Sequence, residues 1–400
     1  MITTIVLRKE DIVAEVVNVD TGLYDEQMVV FDKIISHVSA PYDPKNNLII
    51  GAAGGTGKTH TINKATQFLA SNGITGYIGA YTGRAASHLR KTGLDAKTLH
   101  SVLYKPVIDD KGDLLFFTKK SRSEILESVG DYISIDEGSM VPKSMMDMLI
   151  SLGVPLFIGG DFMQLPPVDP ENKGYNAMFD VEGETVTLEI NRRVDPDAEG
   201  IFNVTQHLRQ QNSIPRMRGA GYKTISKSKI LNVPFHDENR FDVIGVGMNK
   251  TRKKLNNLVR IARGYNTEIP QAGERVVCLK NSIVSEIPIN NGEIYEVQYV
   301  MEGDKQSTFS LVNIDNGNQV YVNIYNETWE TEKVPSFHNK ETMGSAECFA
   351  YAYAMSVHKL QGSSIENMLY YDEDVSFFLD QQRFRYTACS RASKSLVVAT

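Results

Sequence analysis

Across residues 23–38 the apolar positions Val29, Val30, Ile34, Ile35 and Val38 recur at helical spacing, with Asp25 and Glu26 in the opening turn, where acidic side chains suit the helix dipole. A short apolar run, Leu48 to Ile50, then reads as a buried strand, and 60–70 as a helix closed by Ser71-Asn72-Gly73. Residues 74–81 predict the next strand and 82–93 the next helix. Further strands are expected at Tyr132 to Ile135 and within 154–160. Strand and helix in alternation are the mark of a parallel sheet with right-handed crossovers. One segment breaks the rhythm. Turn residues from Asp109 to Gly112 lie between apolar runs, which predicts a β-hairpin insert over about 103–130.

A second α/β unit begins with a strand at 241–247 and a helix at 249–263. Between 271 and 335 the pattern turns to strands alone, separated by Asn-Asn-Gly at 290–292 and Asp-Asn-Gly-Asn at 315–318, both hairpin-turn chemistry. This reads as a small barrel, and as an insert, because a strand at 367–371, a helix at 377–392 and a strand at 395–399 resume the α/β pattern. Pro196 and the acidic residues around it read as a hinge. The expected division is an N-terminal extension at 1–20, one domain at 21–195 and a second at 196–400, with the barrel at about 270–345.

With 42% hydrophobic and 23% charged residues the composition is that of an ordinary globular protein. Cys278, Cys348 and Cys389 are too few and too scattered for a disulfide framework or a CxxC metal site, so a reducing cytoplasm is expected. Charges at Arg8, Lys9, Glu10 and Asp11 argue against a signal peptide or membrane span at the start. The net charge of −7 argues against a surface that binds polyanions everywhere. Local charge differs. Lys250, Arg252, Lys253, Lys254, Arg260 and Arg263 form a run free of acids, as do Arg209, Arg216, Arg218, Lys223, Lys227 and Lys229. Each alone is consistent with a solvated face; the two together favour a track for a phosphate backbone.

The chemistry centres on GAAGGTGKT, 51–59. A strand runs into a glycine-rich turn and then a helix, as a phosphate-binding loop requires. Gly54, Gly55, Thr56 and Gly57 would turn backbone N–H groups toward phosphate oxygens, Lys58 would reach the terminal phosphates, and the Thr59 hydroxyl could ligate Mg²⁺. The strict pattern wants glycine at 52, and this chain has Ala52 with Gly51 one place early. Asp136 and Glu137 end a predicted strand, where Asp136 would serve Mg²⁺ and Glu137 would polarise an attacking water. Gln164, beyond Gly159-Gly160-Asp161, could sense the terminal phosphate. Gln27, near the first helix's start, is placed to read adenine with its paired donor and acceptor.

In order along the chain, these stretches resemble the superfamily 1 helicases of the RecD-like branch, and within it the Dda-type phage helicases. Gln27, the 52–59 loop, AYTGRAASHL (80–89), TLHSVL (98–103), DEGSM (136–140), GGDFMQLPPV (159–168), LEINRR (188–193), SVHKLQGSS (356–364) and RYTACSRA (385–392) carry the resemblance, which spans about 20–400. It implies two RecA-like parallel-sheet domains, the first with a strand-separating hairpin, or pin, and the second with an SH3-like barrel. It implies ATP and Mg²⁺ as cofactors, with Arg193 and Arg391 as arginine fingers and Gln361 and Gly362 also at the nucleotide. Thr82, Arg84, Thr98, His100, Ser356 and His358 would contact DNA, as would Asn249 and Lys250 at the basic helix and Phe116 as the pin. Gly83 departs from the Dda-type pattern, which has histidine there. The implied activity is that of an ATP-dependent DNA helicase moving 5′ to 3′ on single-stranded DNA and opening duplexes. The expected setting is a monomer in the cytoplasm of a phage-infected bacterium, with forked DNA and replication or recombination proteins as partners. Two other readings stay open: an ATP-gated clamp or remodelling ATPase that does not unwind processively, and a viral-type RNA helicase.

Overall fold

The computed structural model describes residues 21–43, 45, 47–110, 114–167, 169–190, 196–235, 241–284, 287–336, 338, 346–377 and 379–400. They form two compact units, one on residues 21–81, 85–104 and 119–190, the other on 82–84, 105–118 and 196–400. Chain order alone would give 82–84 and the hairpin to the first unit. Among the described residues no helix is long and apolar enough to cross a membrane.

The first eight strands are β1 (Asn47–Ala52), β2 (Gly76–Ala80), β3 (Ala96–Thr98), β4 (Tyr104–Ile108), β5 (Leu114–Lys119), β6 (Tyr132–Asp136), β7 (Leu156–Gly160) and β8 (Gly183–Leu188). Six of them make a parallel sheet in the order β3-β2-β6-β7-β1-β8, while β4 and β5 pair as a hairpin. Strand alternation sorts the core. Leu48 and Ile50 pack with Phe31, Ile34, Ile35 and Val38 of the Asp25–Ser39 helix, whereas Ile49 joins Ile133, Ile135, Ile158 and Met146 on the other face. The helix Arg122–Val129 buries Ile125 and Val129 in that second cluster, so it belongs to the α/β core. The hairpin therefore ends at Lys119 and does not extend to 130.

In the second unit the strands are β9 (Arg218–Gly219), β10 (Tyr222–Ile225), β11 (Val243–Val246), β12 (Arg275–Cys278), β13 (Ser282–Val284), β14 (Ile287–Ile289), β15 (Ile294–Met301), β16 (Gln306–Asn313), β17 (Gln319–Tyr325), β18 (Phe349–Tyr351), β19 (Ala354–Ser356), β20 (Ile365–Tyr371) and β21 (Ala392–Ala399). A second sheet, β19-β11-β20-β21-β10-β9, is parallel apart from its edge strand β9. The insert is a five-stranded antiparallel sheet, β17-β16-β15-β12-β18, with β13 and β14 as a small hairpin. It closes around Val276, Tyr295, Val297, Phe309, Leu311 and Trp329. Because β18 pairs with β12, the insert reaches Tyr351, beyond the expected 345.

Two local expectations change. Asp315–Asn318 does turn a hairpin, with Gly317 at φ +74° between β16 and β17. Asn290–Gly292 does not: it leads from β14, paired with β13, into β15, paired with β12 and β16. The last helix runs Gln381–Cys389 where 377–392 was expected, because the Asp380 carboxylate accepts from the Arg383 N–H at 3.0 Å and caps it there.

Candidate active site

Parallel pairing brings the carboxyl ends of neighbouring strands to one edge of a sheet, where ligands of open α/β folds collect. In the first unit β1, β7 and β6 are adjacent. Their carboxyl ends lead into the 53–57 loop, into Asp161 and Gln164, and into Asp136 and Glu137 respectively. Stretches far apart in the chain thus become one site.

Lys58 and Thr59 open the Lys58–Ser71 helix, whose first N–H groups and dipole favour an anion. Gly57 precedes it at φ +87°, and a Cβ there would meet the Gln27 amide nitrogen. Gly51 is needed where it stands, since the Phe162 ring fills the space a Cβ would take. Ala52 is a buried residue of β1, so the substitution expected at the loop's first position falls within the strand. Gln27 is buried; its amide donates to Thr56 O at 3.1 Å and accepts from the Tyr24 N–H at 3.3 Å. It braces the loop from the first helix.

Asp136 is the electrostatic centre. One carboxylate oxygen pairs with Lys58 Nζ and accepts from the Glu137 N–H at 2.9 Å; the other stands 3.5 Å from Thr59 Oγ1. A hydroxyl beside a single carboxylate suits Mg²⁺, which usually keeps several waters and borrows phosphate oxygens. No cluster of three acidic, His or Cys ligands that would hold a metal by itself occurs among the described residues. Glu137 adopts φ +55°, left-handed for a non-glycine residue, at a cost of order 1–3 kcal/mol. Asp161 went unassigned in the sequence although its Gly-Gly-Asp context was visible: it is buried, accepts from the Met163 N–H at 3.0 Å, and its carbonyl takes the Gln164 N–H at 3.1 Å. It shapes the turn that presents the buried Gln164.

The second unit carries the remaining expected nucleotide residues. Arg391 is only 6% exposed, between the Gln381–Cys389 helix and β21, and donates from Nη2 to Ser390 Oγ at 3.1 Å. Gln361 is buried at the end of the Val357–Leu360 turn of helix, and Gly362 follows at φ +71°. Arg193, the other expected finger, lies outside the described residues.

The nucleic-acid candidates also follow strand ends: Thr82 and Arg84 after β2, Thr98 and His100 at β3, Asn249 and Lys250 after β11, Ser356 and His358 at β19. Several already have structural duties. Thr98 Oγ1 accepts from the Ser101 N–H at 3.3 Å, and His100 stacks on Tyr104 with ring centroids 4.4 Å apart. Burial lowers the pKa of both His100 and His358 below the ordinary imidazole value, so they offer neutral rings at pH 7. Arg84 Nη1 and His358 Nε2 are buried without a hydrogen-bond partner among the described residues. Asn249 Oδ1 accepts from Arg252 Nε at 3.3 Å, and Lys250 is exposed. In the hairpin, Leu114 is buried, Phe117 is half-buried on the opposite face, and Phe116 is 57% exposed.

The basic run 250–263 is not the continuous track its composition suggested. Arg252 pairs with Glu332, Lys253 Nζ donates to Glu330 O, and Arg263 donates to Phe235 O at 3.0 Å. Arg260, buried, pairs with Glu274 at 2.8 Å and lies over the Tyr351 ring. These cations hold the helix to the insert and its flanks, whose glutamates lie outside the acid-free run, Glu274 14 and Glu332 80 residues along the chain from their partners. Lys250 and Lys254 remain exposed. In the other run Arg209 donates to the Tyr386 hydroxyl at 3.0 Å and Lys227 lies over Tyr371, while Arg216, Arg218, Lys223 and Lys229 are exposed.

Residues 37–170 match the family model of an AAA domain. The chain is 22% identical over 319 residues to the ATP-dependent DNA helicase Pif1 of Psychrobacter sp. (strain PRwf-1), a match covering 68% of this chain and 47% of that protein. It thus spans about half the length of the curated relative it matches. Among solved structures, one of two coordinating Pif1 helicases unwinding forked duplex DNA superposes with a TM-score of 0.58 at 20% identity, over 94% of this chain and 92% of that one. The fold is that of the Pif1 helicases. Bacteroides Pif1 bound to single-stranded DNA gives 0.57 at 18% identity over 94% and 92% of the two chains, and Candida albicans Pif1 gives 0.53 at 17% over 94% of each. In each case the likeness in fold extends over 94% of this chain.

Proposed function

We propose that this chain is an ATP-dependent DNA helicase that moves 5′ to 3′ along single-stranded DNA and opens duplexes, a RecD-like enzyme of the Dda type. The observation that carries the reading is the convergence of Lys58, Thr59, Asp136, Glu137 and Gln164 at the ends of three adjacent parallel strands. Support comes from the Pif1 fold, from relatives described as ATP-dependent or as bound to ADP-AlF3 and single-stranded DNA, and from the motif order.

The loop N–H groups and Lys58 would hold the ATP phosphates, with Gln27 keeping the loop in shape and available to adenine. Thr59 and Asp136 would hold Mg²⁺, which when bound neutralises phosphate charge. Glu137 would accept a proton from the attacking water, and Gln164 would sense the terminal phosphate. Arg391 and Arg193 would meet the charge that develops on that phosphate. Melting a base-pair step costs about 1.4 kcal/mol on average, well within one ATP, so single-base steps demand little energy. The insert would be the SH3-like barrel of that branch, and the setting the cytoplasm of a phage-infected bacterium, with a monomer at work.

A strand-displacement assay with DNA and RNA duplexes carrying a 5′ or a 3′ tail tests this directly. DNA with a 5′ tail is expected to open. Opening from a 3′ tail alone would overturn the direction, preference for RNA would favour the viral-type reading, and ATP turnover with no opening would favour a clamp. Phe116→Ala, at an exposed position of β5, is expected to slow displacement severalfold while leaving ATPase stimulated by single strands intact. Equal loss of both, or a large fall in melting temperature, would place Phe116 in the core.

A further inference from the structure

Residues 372–377, which follow β20, have no part in the site described above, yet they are tied down at many points. Glu373 accepts from the Gly247 N–H at 2.8 Å, the Met248 N–H at 3.0 Å and the Thr251 hydroxyl, which seats the loop on the start of the Asn249–Ala262 helix. Gln381 accepts from the Val375 N–H at 2.7 Å and donates to Glu373 O at 2.9 Å; Asp374 accepts from the Ser376 N–H at 3.0 Å. From this braced loop Phe377 stands 92% exposed. Burying a phenylalanine is worth about 1.5–3 kcal/mol, so a side chain left in water has forgone that gain within its own fold.

The sheet order says which rim the segment belongs to. β19, β11 and β20 are neighbours and parallel, so the segments after their carboxyl ends share one rim. After β19 come Ser356 and His358, after β11 Asn249 and Lys250, and after β20 the loop with Phe377. Val375 packs where a Cβ on Gly247 would stand, and the His358 ring lies 6.1 Å from that of Phe384, which also borders Gly247. The rim therefore offers polar groups, an exposed lysine and one free aromatic face, the combination that binds single-stranded nucleic acid by backbone contacts and base stacking.

We propose that Phe377 is a base-stacking residue of the single-strand path on the second unit, an inference that rests on the nucleic-acid reading above. Its test is the affinity for an oligo-dT strand, measured by anisotropy on the full chain. Phe377→Ala is expected to bind about 5- to 150-fold more weakly, Phe377→Leu to be similarly impaired, and Phe377→Tyr to bind like wild type. Being so exposed, the residue can be replaced without disturbing the fold, which unchanged melting curves would show. In Phe377→Trp, the added indole emission is expected to be quenched by oligo-dT and not by the same strand made abasic throughout; the native Trp329 is buried. Wild type that binds the strand with Phe377→Ala binding equally well would overturn the stacking role alone. Wild type that binds no single strand would overturn the functional reading as well.

Discussion

Lys58→Ala is expected to bind single-stranded DNA almost normally and to hydrolyse almost no ATP. The lysine is the main cation of the phosphate loop, and the nucleic-acid candidates lie after other strands. The structure adds a second consequence. Lys58 is also the ion partner of Asp136, and both side chains are nearly buried, at 12% and 11% exposure. Removing one member of such a pair leaves a carboxylate uncompensated, at a cost on the order of 3–5 kcal/mol where burial is complete and less here. Some loss of melting temperature should therefore accompany the loss of turnover. Lys58→Arg separates the two effects, since it keeps a charge for Asp136 but places a planar fork on a different stem. It should melt close to wild type and still turn over slowly. Near-wild-type hydrolysis by Lys58→Ala would sink the loop assignment. Glu137→Gln offers the complementary test: it should bind ATP and stall, and normal turnover would remove Glu137 as the residue that activates water.

Arg391→Ala is expected to reduce hydrolysis by about 10³ to 10⁵ with little change in ATP affinity, because a finger acts mainly on charge that appears in the transition state. Arg391 is buried, its N–H donates to Ala388 O at 3.2 Å and its carbonyl accepts from the Ile365 N–H at 2.9 Å. Those backbone bonds survive the substitution, so its position at the head of β21 should hold. Arg391→Lys keeps the charge but loses the guanidinium fork, and recovery of most activity in that variant would mean that charge alone suffices. A fall in affinity equal to the fall in turnover would make Arg391 a ground-state ligand. Nucleotide titration beside single-turnover kinetics decides between these outcomes.

The chain by itself determined its α/β class, the phosphate loop, the paired acids and most element positions. Each rests on local rules: helical or alternate spacing of apolar residues, glycine where φ must be positive, a capping residue at a helix start. Leu48 to Ile50 followed by Gly57-Lys58-Thr59 is legible because the strand, turn and helix are contiguous. Local misreadings had local causes. Asp380 is the cap that starts the last helix, and the apolar Phe377 before it looked like part of the same helix. Asn290–Gly292 has turn chemistry, but which strands a turn joins depends on pairing that the turn does not encode.

Only the tertiary structure decided which residues meet. The adjacency of β1, β7 and β6 sets Asp136 against Lys58 and Thr59, and sheet order is fixed by packing both faces of the sheet at once. Charge is the clearest case. Arg252 and Arg260 looked like a phosphate track because the run around them holds no acids, yet Glu332 and Glu274 arrive from the insert and its flank to neutralise them. Electrostatic partners are chosen by distance in space, and desolvation makes a buried unpaired arginine too costly to leave. Phe377 shows the converse: an apolar residue that the sequence placed in a helix stands 92% exposed ahead of it.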